Sequence, residues 1–505
     1  MPTRFSLHCH RALIALVCAP LLTGGSHAIE GSASATAWPL PAPRSEPVGP
    51  NAVRWPATVP LRTVPDFQAP SASTCARPVQ MVEQPGRNAV QRPAAHGRAE
   101  TRMSRGTDPV FEARADGIAE DRTMAAPMPV APLASMAAPK STGRPAVDDE
   151  AGAPVQRTPA QQANVTASMV DDNTDFDAYL AFRQRTPVAH RERDVRERHL
   201  LQVRNARGEA LADAEVAVRA TSGATLWART DTAGRVWLHP DAFDPAGSAL
   251  YEVTARQHGV QATTVLRRGQ KSAVELTLDA KRPAQRARLD LVFLIDATGS
   301  MADEIGKLKA TLRSIADEVA RLPSQPDTCF GLVAYRDIDD AFVTRRVDFT
   351  NDLASFQGAL NALQADGGGD YPEAMNEALH ETVHRLSWRG DGATRLVILL
   401  ADAPPHLDYG GPQYDDDMLA ALGKGIKLFS VGASGLDRQG EYVQRQLAQF
   451  TGGRFVFLTY ADAANPASGP GRETVHDVRN YSVETLDRLV VRLVRDELAR
   501  LPKAG

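Results

Sequence analysis

Three oxygen-bearing side chains stand at alternate positions of one short segment: Asp296, Thr298 and Ser300. They directly follow a continuous apolar run, Leu289 to Ile295, and precede a segment with the apolar spacing of a helix. Gly299 allows the backbone to turn sharply between them. A tight loop between a buried strand and a helix brings such oxygens to one point, which predicts a site for a hard cation. The alternative is a helix N-cap, with Thr298 or Ser300 as the capping residue and Asp296 near the helix dipole.

A second carboxylate follows another apolar run. Leu396 to Ala401 has the character of a buried strand, and Asp402 comes directly after it. If this strand neighbours the one before Asp296 in a parallel sheet, the two carboxylates meet at the same edge. Buried carboxylates close together are costly unless a cation neutralises them. Because all candidate ligands are hard oxygens, we expect Mg²⁺, or alternatively Mn²⁺ or Ca²⁺, rather than zinc.

These motifs carry a family resemblance. Asp296-Ala-Thr-Gly-Ser-Met301, combined with Asp402, resembles the metal-ion-dependent adhesion site of von Willebrand factor A (VWA) domains. Tyr335-Arg336-Asp337 and the segment Gly367 to Ala374 look like the subgroup with a Thr-Gly-Ser-Met version of the loop. The resemblance covers residues 288–502, and it implies a domain of this family there.

The resemblance also implies roles for the ligands. Thr298 and Ser300 would bind the ion through their hydroxyls, Asp296 and Asp402 largely through water, and a carboxylate of a protein partner would fill the open position. One place differs, because adhesion molecules have a Thr ligand where this chain has Asp370. Two carboxylates balance a divalent ion, and Asp370 adds a third negative charge. We therefore expect tighter cation binding and a weaker preference for acidic partners.

The chain from Leu289 onwards alternates between strand and helix patterns, which predicts an α/β fold with a doubly wound, mostly parallel sheet. The expected strands are 289–295, 329–335, 342–349, 396–401, 426–431 and, at the edge of the sheet, 454–458. The expected helices are 304–321, 353–363, 371–386, 416–422, 441–450 and 483–501.

Two smaller units precede this region. Residues 195–282 alternate like half-buried strands separated by Gly-containing turns, and they resemble the carboxypeptidase-regulatory, transthyretin-like β-sandwich. Residues 166–194 are predicted to be a helical connector, with a helix around 171–184 that packs on the β-sandwich.

Residues 1–28 have the pattern of a secretory signal, with basic residues, an apolar core at Ala12 to Leu22, and small residues at Ser26 and Ala28. A permanent membrane anchor is the alternative, but the core is short for a span of roughly 20 residues. A lipid anchor at Cys18 is disfavoured because Val17 precedes it. We therefore expect an exported protein with no stable transmembrane segment, located in the periplasm, at the cell surface or outside the cell.

Residues 29–165 are rich in Pro, Ala and Arg and show no apolar periodicity, which predicts a long disordered spacer. Cys75 lies in this spacer and Cys329 in an apolar strand, so a buried free thiol at Cys329 is favoured over a disulfide. No CxxC pair is present, which excludes a zinc ribbon and a thioredoxin-type redox site. The net charge of −4 gives no indication of nucleic-acid binding.

One motif points to a different chemistry. His380-Glu381-Thr-Val-His384 matches the HExxH pattern of zinc peptidases. The apolar stripe of the same helix places both His at its margin, and no separate third-ligand motif follows. We therefore favour a non-enzymatic protein-binding module that depends on a divalent cation. The alternatives are a zinc hydrolase that uses His380 and His384, or a purely structural envelope component.

Overall fold

The computed structural model describes residues 75–87, 165–280, 286–390 and 392–501. The expected signal sequence, 1–28, and most of the expected spacer, 29–165, lie outside these ranges. Among the helices of the described residues, none is both long enough and apolar enough to cross a bilayer.

The described chain begins mostly with strands and then changes to a mixture of strands and helices. Its first part contains β1 (Met81–Pro85), β2 (Thr166–Val170), α1 (Phe176–Arg185), β3 (His199–Asn205), β4 (Glu215–Ala220), β5 (Thr225–Arg229), β6 (Arg235–Leu238), β7 (Leu250–Gln257), β8 (Val260–Arg267) and β9 (Val274–Leu278). Its second part contains β10 (Arg288–Asp296), α2 (Ala302–Ala320), β11 (Asp327–Tyr335), β12 (Phe342–Thr350), α3 (Leu353–Ala362), α4 (Met375–His384), β13 (Ala393–Ala401), α5 (Tyr414–Lys424), β14 (Ile426–Gly432), α6 (Arg438–Phe450), β15 (Phe455–Thr459), β16 (Glu484–Thr485) and α7 (Leu486–Ala499).

Nine of these strands form one sheet, in the order β1-β12-β11-β10-β13-β14-β15-β2-β16. The five central strands run parallel to one another, in the order β11, β10, β13, β14 and β15. The outer strands β1, β12, β2 and β16 pair antiparallel with their neighbours. Helices connect the parallel strands, since a parallel crossover needs a long connection. The predicted α/β class is confirmed. The edge position predicted for residues 454–458 is wrong, because β2 covers β15.

Strand β10 lies at the centre of the sheet and is buried on both faces. Leu291 and Phe293 pack into a cluster with α2, α3 and α7. Val292 and Leu294 point to the opposite cluster, which contains residues of α4, α5 and α6. Burial on both faces explains why the run lacks polar alternation. Each such side chain contributes about 1.5–3 kcal/mol by leaving water, so the end of β10 is a rigid support for the loop that follows.

Residues 199–278 form a three-stranded sheet, β6-β3-β9, and a four-stranded sheet, β5-β4-β7-β8. Leu201 and Val203 belong to the same buried cluster as α5 and α6, so these sheets share a core with the larger one. A buried ion pair strengthens this contact: Arg395 of β13 donates to Asp213 at 2.7 Å. Asp213 also accepts a hydrogen bond from the backbone of Gly392 at 2.6 Å.

The segment 166–194 contains a strand in addition to the predicted helix. Its first residues form β2, and α1 begins at Phe176, five residues after the predicted start. The helix packs against α6 of the α/β region: Phe182 stacks on Tyr442 with ring centroids 6.0 Å apart. Asp172 accepts a buried hydrogen bond from Arg445 at 2.6 Å. This segment is therefore part of the α/β fold as well as a connector.

A disulfide joins Cys75 to Cys329 across a sequence separation of 254 residues. Strand β1 follows Cys75 and pairs with β12 at the edge of the sheet. Residues 75–87 are thus ordered, in contrast to the disorder predicted for the whole of 29–165. The prediction of a free thiol at Cys329 is wrong. Its partner is too distant in the chain, and in too irregular a segment, for spacing to reveal the pair.

Replacing Cys75 by Ser should lower the free energy of unfolding by about 2–4 kcal/mol, because the unfolded chain loses a long covalent loop. Denaturant unfolding of both forms under oxidising conditions measures the difference. As a control, a reductant should destabilise the native chain by the same amount and leave Cys75→Ser unchanged. Equal stability of the two oxidised forms, or failure to find a linked Cys75–Cys329 peptide, would contradict the pairing.

His239 is fully buried and its ring stacks on Phe450, with centroids 5.3 Å apart. Burial lowers the pKa of His239 from 6.5 to about 3. Below pH 6.5 the unfolded chain therefore binds a proton that the folded chain does not, and stability falls as the pH drops. The loss is on the order of 2 kcal/mol between pH 6.5 and pH 5.

The variant His239→Phe keeps an aromatic ring in the same place and removes the titrating group. Urea unfolding at pH 7.5 and pH 5 should show a smaller loss of stability in this variant than in the native chain. Identical losses would mean that His239 is not a source of the acid sensitivity.

Candidate metal centre

The loop after β10 folds back on the carboxylate of Asp296, which is fully buried. Thr298 donates to Asp296 Oδ1 twice, from its backbone nitrogen at 3.0 Å and from its hydroxyl at 2.7 Å. The Thr298 hydroxyl also lies 3.0 Å from that of Ser300, which is exposed. Asp296 Oδ2 has no hydrogen-bond partner among the described residues. The loop thus fixes one carboxylate oxygen and leaves the other buried and unsatisfied.

The second carboxylate lies beside the first because β13 is the parallel neighbour of β10. Ile295 pairs with Leu400, so that Asp296, the last residue of β10, and Asp402, which directly follows β13, lie at the carboxyl ends of adjacent strands. Asp402 is 5% exposed, and its Oδ1 also has no hydrogen-bond partner among the described residues. Four of the five predicted ligands, Asp296, Thr298, Ser300 and Asp402, therefore gather at the carboxyl ends of β10 and β13. We call this end of the two central strands the Asp296 edge.

Burial dominates the electrostatics of this edge, and Asp402 adds repulsion at Asp296. Burial, followed by repulsion from Asp402, raises the pKa of Asp296 to about 7. Burial also raises the pKa of Asp402, and the Ser300 hydroxyl partly opposes this rise. These shifts reflect two carboxylates held out of water with no cationic side chain among the main influences on either pKa. A bound divalent cation would remove the repulsion.

Glu373 is a third buried carboxylate at this edge, and the sequence pattern did not predict a role for it. It is 3% exposed, and its Oε2 lacks a hydrogen-bond partner among the described residues. A Cβ placed on Gly368 would lie 3.1 Å from Glu373 Oε1 and 3.3 Å from Thr298 Cβ, so Gly368 separates the two side chains. Burial, followed by Asp296, raises the pKa of Glu373 to about 9.

The backbone around Glu373 explains why helix α4 starts at Met375 and not at the predicted Tyr371. The nitrogen of Glu373 donates to Pro404 O at 3.1 Å, and that of Ala374 donates to Arg336 O at 3.2 Å. These bonds tie the segment to neighbouring loops before the helix begins. The Gly-Gly-Gly-Asp-Tyr-Pro-Glu sequence was the available signal for Glu373, but it carries no period that would indicate where the side chain points.

Asp370, the fifth predicted ligand, belongs to a neighbouring acidic group. Its side chain is exposed, and its pKa is raised by partial loss of hydration and then by the negative charge of Asp337. Asp337 is buried and contacts His406, with Oδ1 2.9 Å from His406 Nε2. Asp340 accepts hydrogen bonds from the backbones of Gly368 at 2.8 Å and Asp337 at 3.0 Å. This group holds the glycine loop, residues 367–369, in place next to the Asp296 edge.

The residues present fit a hard divalent cation. Three buried carboxylate oxygens lack hydrogen-bond partners, namely Asp296 Oδ2, Asp402 Oδ1 and Glu373 Oε2. The hydroxyls of Thr298 and Ser300 lie next to them, and Mg²⁺, Mn²⁺ and Ca²⁺ all prefer oxygen ligands. Because Ser300 is exposed, the edge is open to an external ligand.

Comparison with known proteins gives an independent result. A family model described as the von Willebrand factor A domain matches residues 290–391. This range contains Asp296, Thr298, Ser300 and Glu373, and Asp402 follows it.

Several curated proteins are similar over part of their length. The alpha-protein kinase vwkA of Dictyostelium discoideum is 31% identical over 134 residues, which is 26% of this chain and 21% of the kinase. Integrin beta-5 of Bos taurus is 23% identical over 195 residues, which is 33% of this chain and 23% of the integrin. Hemicentin-1 of Mus musculus is 35% identical over 83 residues, which is 16% of this chain and 1% of hemicentin. The chain thus spans at most about a quarter of the length of these relatives.

Among solved structures, the pilus adhesin SpaC from Lactobacillus rhamnosus GG, in its open conformation, aligns with a TM-score of 0.25 and 16% identity. The alignment covers 40% of this chain and 29% of the adhesin. The family match and the sequence relatives lead to one conclusion: the chain contains a von Willebrand factor A domain at residues 290–391.

Proposed function

We propose that this chain is an exported protein-binding module whose VWA domain engages a partner through a divalent cation, Mg²⁺ or alternatively Mn²⁺ or Ca²⁺. Asp296, Thr298, Ser300 and Asp402 would hold the ion. The observation that carries the proposal is the pair of buried carboxylates at the ends of β10 and β13, each with an oxygen that no described residue satisfies. Such an arrangement is costly without a cation.

Charge balance supports a divalent ion. When ionised, Asp296 and Asp402 carry the two negative charges that a divalent ion neutralises. An incoming carboxylate would meet a neutral or weakly negative edge, so its binding would depend mainly on direct coordination of the ion.

The relatives support a role in protein interaction, because integrin beta-5 and hemicentin-1 match the same domain. We further propose that the nine-stranded sheet is doubly wound and that residues 195–282 form a β-sandwich of the carboxypeptidase-regulatory type. The shared buried cluster indicates that this unit supports the VWA domain as a rigid base.

Export is part of the proposal. The Cys75–Cys329 disulfide is typical of an oxidising compartment such as the periplasm or the extracellular space. The amino-terminal sequence has the pattern of a cleavable signal.

Binding is favoured over hydrolysis by the state of Glu381. In a zinc peptidase the Glu of the HExxH motif activates water. Here Glu381 forms an ion pair with Arg346 of β12, and its side chain is 14% exposed. A glutamate held in this way lacks the freedom that a general base needs, so we propose that the chain is not an enzyme.

The function is tested by capture of a partner from the native envelope with the full chain as bait. A partner that binds in Mg²⁺ should be released by EDTA and should not bind Ser300→Ala, which removes one coordinating hydroxyl. Ser324→Ala changes an exposed serine in the turn after α2 and is the matched control. Capture that withstands EDTA would favour a purely structural role. Capture that needs Mg²⁺ but survives Ser300→Ala would exclude this site.

We also predict different contributions from two of the candidate ligands, Asp402 and Asp370. Asp402→Asn removes one of the two buried charges and should weaken Mg²⁺ binding at least about tenfold, equivalent to 1.4 kcal/mol. Asp370→Thr changes an exposed side chain of the neighbouring acidic group and should have a smaller effect. Calorimetric Mg²⁺ titration of the two variants and the native chain measures the difference. Equal losses would place Asp370 among the ligands, as the sequence suggested.

A further inference from the structure

Two histidines of α4 and one aspartate of α5 meet between the two helices. His380 and His384 are one turn apart on the same face, with ring centroids 4.5 Å apart. Asp417 Oδ1 lies 3.1 Å from His380 Nδ1 and 2.9 Å from His384 Nε2. All three potential ligand atoms lie within 4.8 Å of one another. The sequence motif supplied the two histidines, and the fold adds the third residue.

Contacts at both ends of the helix pair hold this group in place. Asn376 Oδ1, near the start of α4, accepts a hydrogen bond from the backbone nitrogen of Tyr414 at 3.0 Å. At the other end, Lys424 donates to the backbone oxygen of Val383. Because α4 and α5 are fixed at two points, the three side chains between them are preorganised. Preorganised ligands lose less conformational entropy on binding an ion.

One oxygen of this group has no partner. The Asp417 side chain is 5% exposed, and its Oδ2 is buried without a hydrogen-bond partner among the described residues. The side chains of His380 and His384 are 39% and 29% exposed, so the group opens to solvent on its histidine side. An ion can enter from that side, and further coordination positions remain for water.

We propose that His380, His384 and Asp417 bind one divalent transition-metal ion of the zinc type and thereby clamp α4 to α5. In a tetrahedral site with bonds of about 2.0 Å, neighbouring ligand atoms are about 3.3 Å apart. The two separations between Asp417 and the histidines, 3.1 and 2.9 Å, are close to this value, and the two histidine nitrogens lie within 4.8 Å of each other. The two imidazole ligands favour zinc-type ions, whereas the all-oxygen site at Asp296 would favour Mg²⁺ or Ca²⁺.

The ion has a structural role in this proposal. The ion pair between Glu381 and Arg346 directs the motif's glutamate toward β12 and away from α5. The three ligands come from adjacent helices, so the ion cross-links them. This inference does not depend on the function proposed for the Asp296 edge, since the two sites share no residue.

Titration of the metal-free full chain, without an affinity tag, with Zn²⁺ and separately with Co²⁺ tests the proposal. We expect one strong site per chain, a rise in the thermal unfolding temperature with Zn²⁺, and visible Co²⁺ absorption typical of nitrogen and oxygen ligands. Asp417→Asn and the double variant His380→Gln/His384→Gln should each weaken Zn²⁺ binding at least about 100-fold, since loss of an outer-shell partner alone costs 10–100-fold. In the presence of Zn²⁺, both variants should unfold at the temperature at which the metal-free native chain unfolds.

Two variants serve as matched controls. Glu381→Gln should retain the strong Zn²⁺ site, because Glu381 is not a ligand. Ser300→Ala should retain it as well, which distinguishes this site from the one proposed for Mg²⁺. A native chain without a strong Zn²⁺ site, or undiminished affinity in both Asp417→Asn and the histidine double variant, would overturn the proposal and leave the group as a hydrogen-bonded cluster. If Asp417→Asn does not fold, the histidine variant decides, because its side chains are partly exposed.

Discussion

The central constraint on this molecule is the burial of like charges at the ends of two adjacent parallel strands. Asp296 and Asp402 are 0% and 5% exposed, and each keeps an oxygen without a hydrogen-bond partner among the described residues. Apolar strands that pack on both faces hold the two carboxylates in place, so they cannot separate without loss of core packing. The fold therefore imposes an electrostatic cost that a bound cation would relieve, and this cost is the physical basis for the metal-dependent surface that we propose.

Buried ion pairs fix the regions before the VWA domain to the α/β sheet. Asp172 pairs with Arg445 of α6 and Asp213 with Arg395 of β13, and all four side chains are at most 7% exposed. Buried ion pairs add little net stability, but loss of either partner leaves a costly unpaired charge. They therefore favour one arrangement of the preceding segments against the α/β sheet. The disulfide at Cys75 does the same for strand β1 by a covalent bond.

The sequence predicted those features of the fold that local residue patterns determine. The continuous apolar runs before Asp296 and Asp402 predicted buried strands that end in carboxylates, and the structure places these strands side by side. The unrecognised features depend on contacts between distant segments. Glu373 is buried because its segment bonds to the loops at Pro404 and Arg336, and no periodicity encodes those bonds. Strand β2 joins the sheet by pairing with a strand nearly three hundred residues away.

The HExxH motif was visible in the sequence, but the residues that lie next to it in the fold could not be predicted from the sequence. From the sequence, His380 and His384 lacked a third ligand, and a peptidase required Glu381 to face the same site. The fold supplies Asp417 from α5 and directs Glu381 to Arg346. Helix α4 thus follows Glu373 at the Asp296 edge and carries the two histidines toward its other end. A helix of ten residues is about 15 Å long and moves as a unit when its buried face is packed. Any contact that fixes α4 against α5 therefore also restricts the position of Glu373 beside the two buried aspartates.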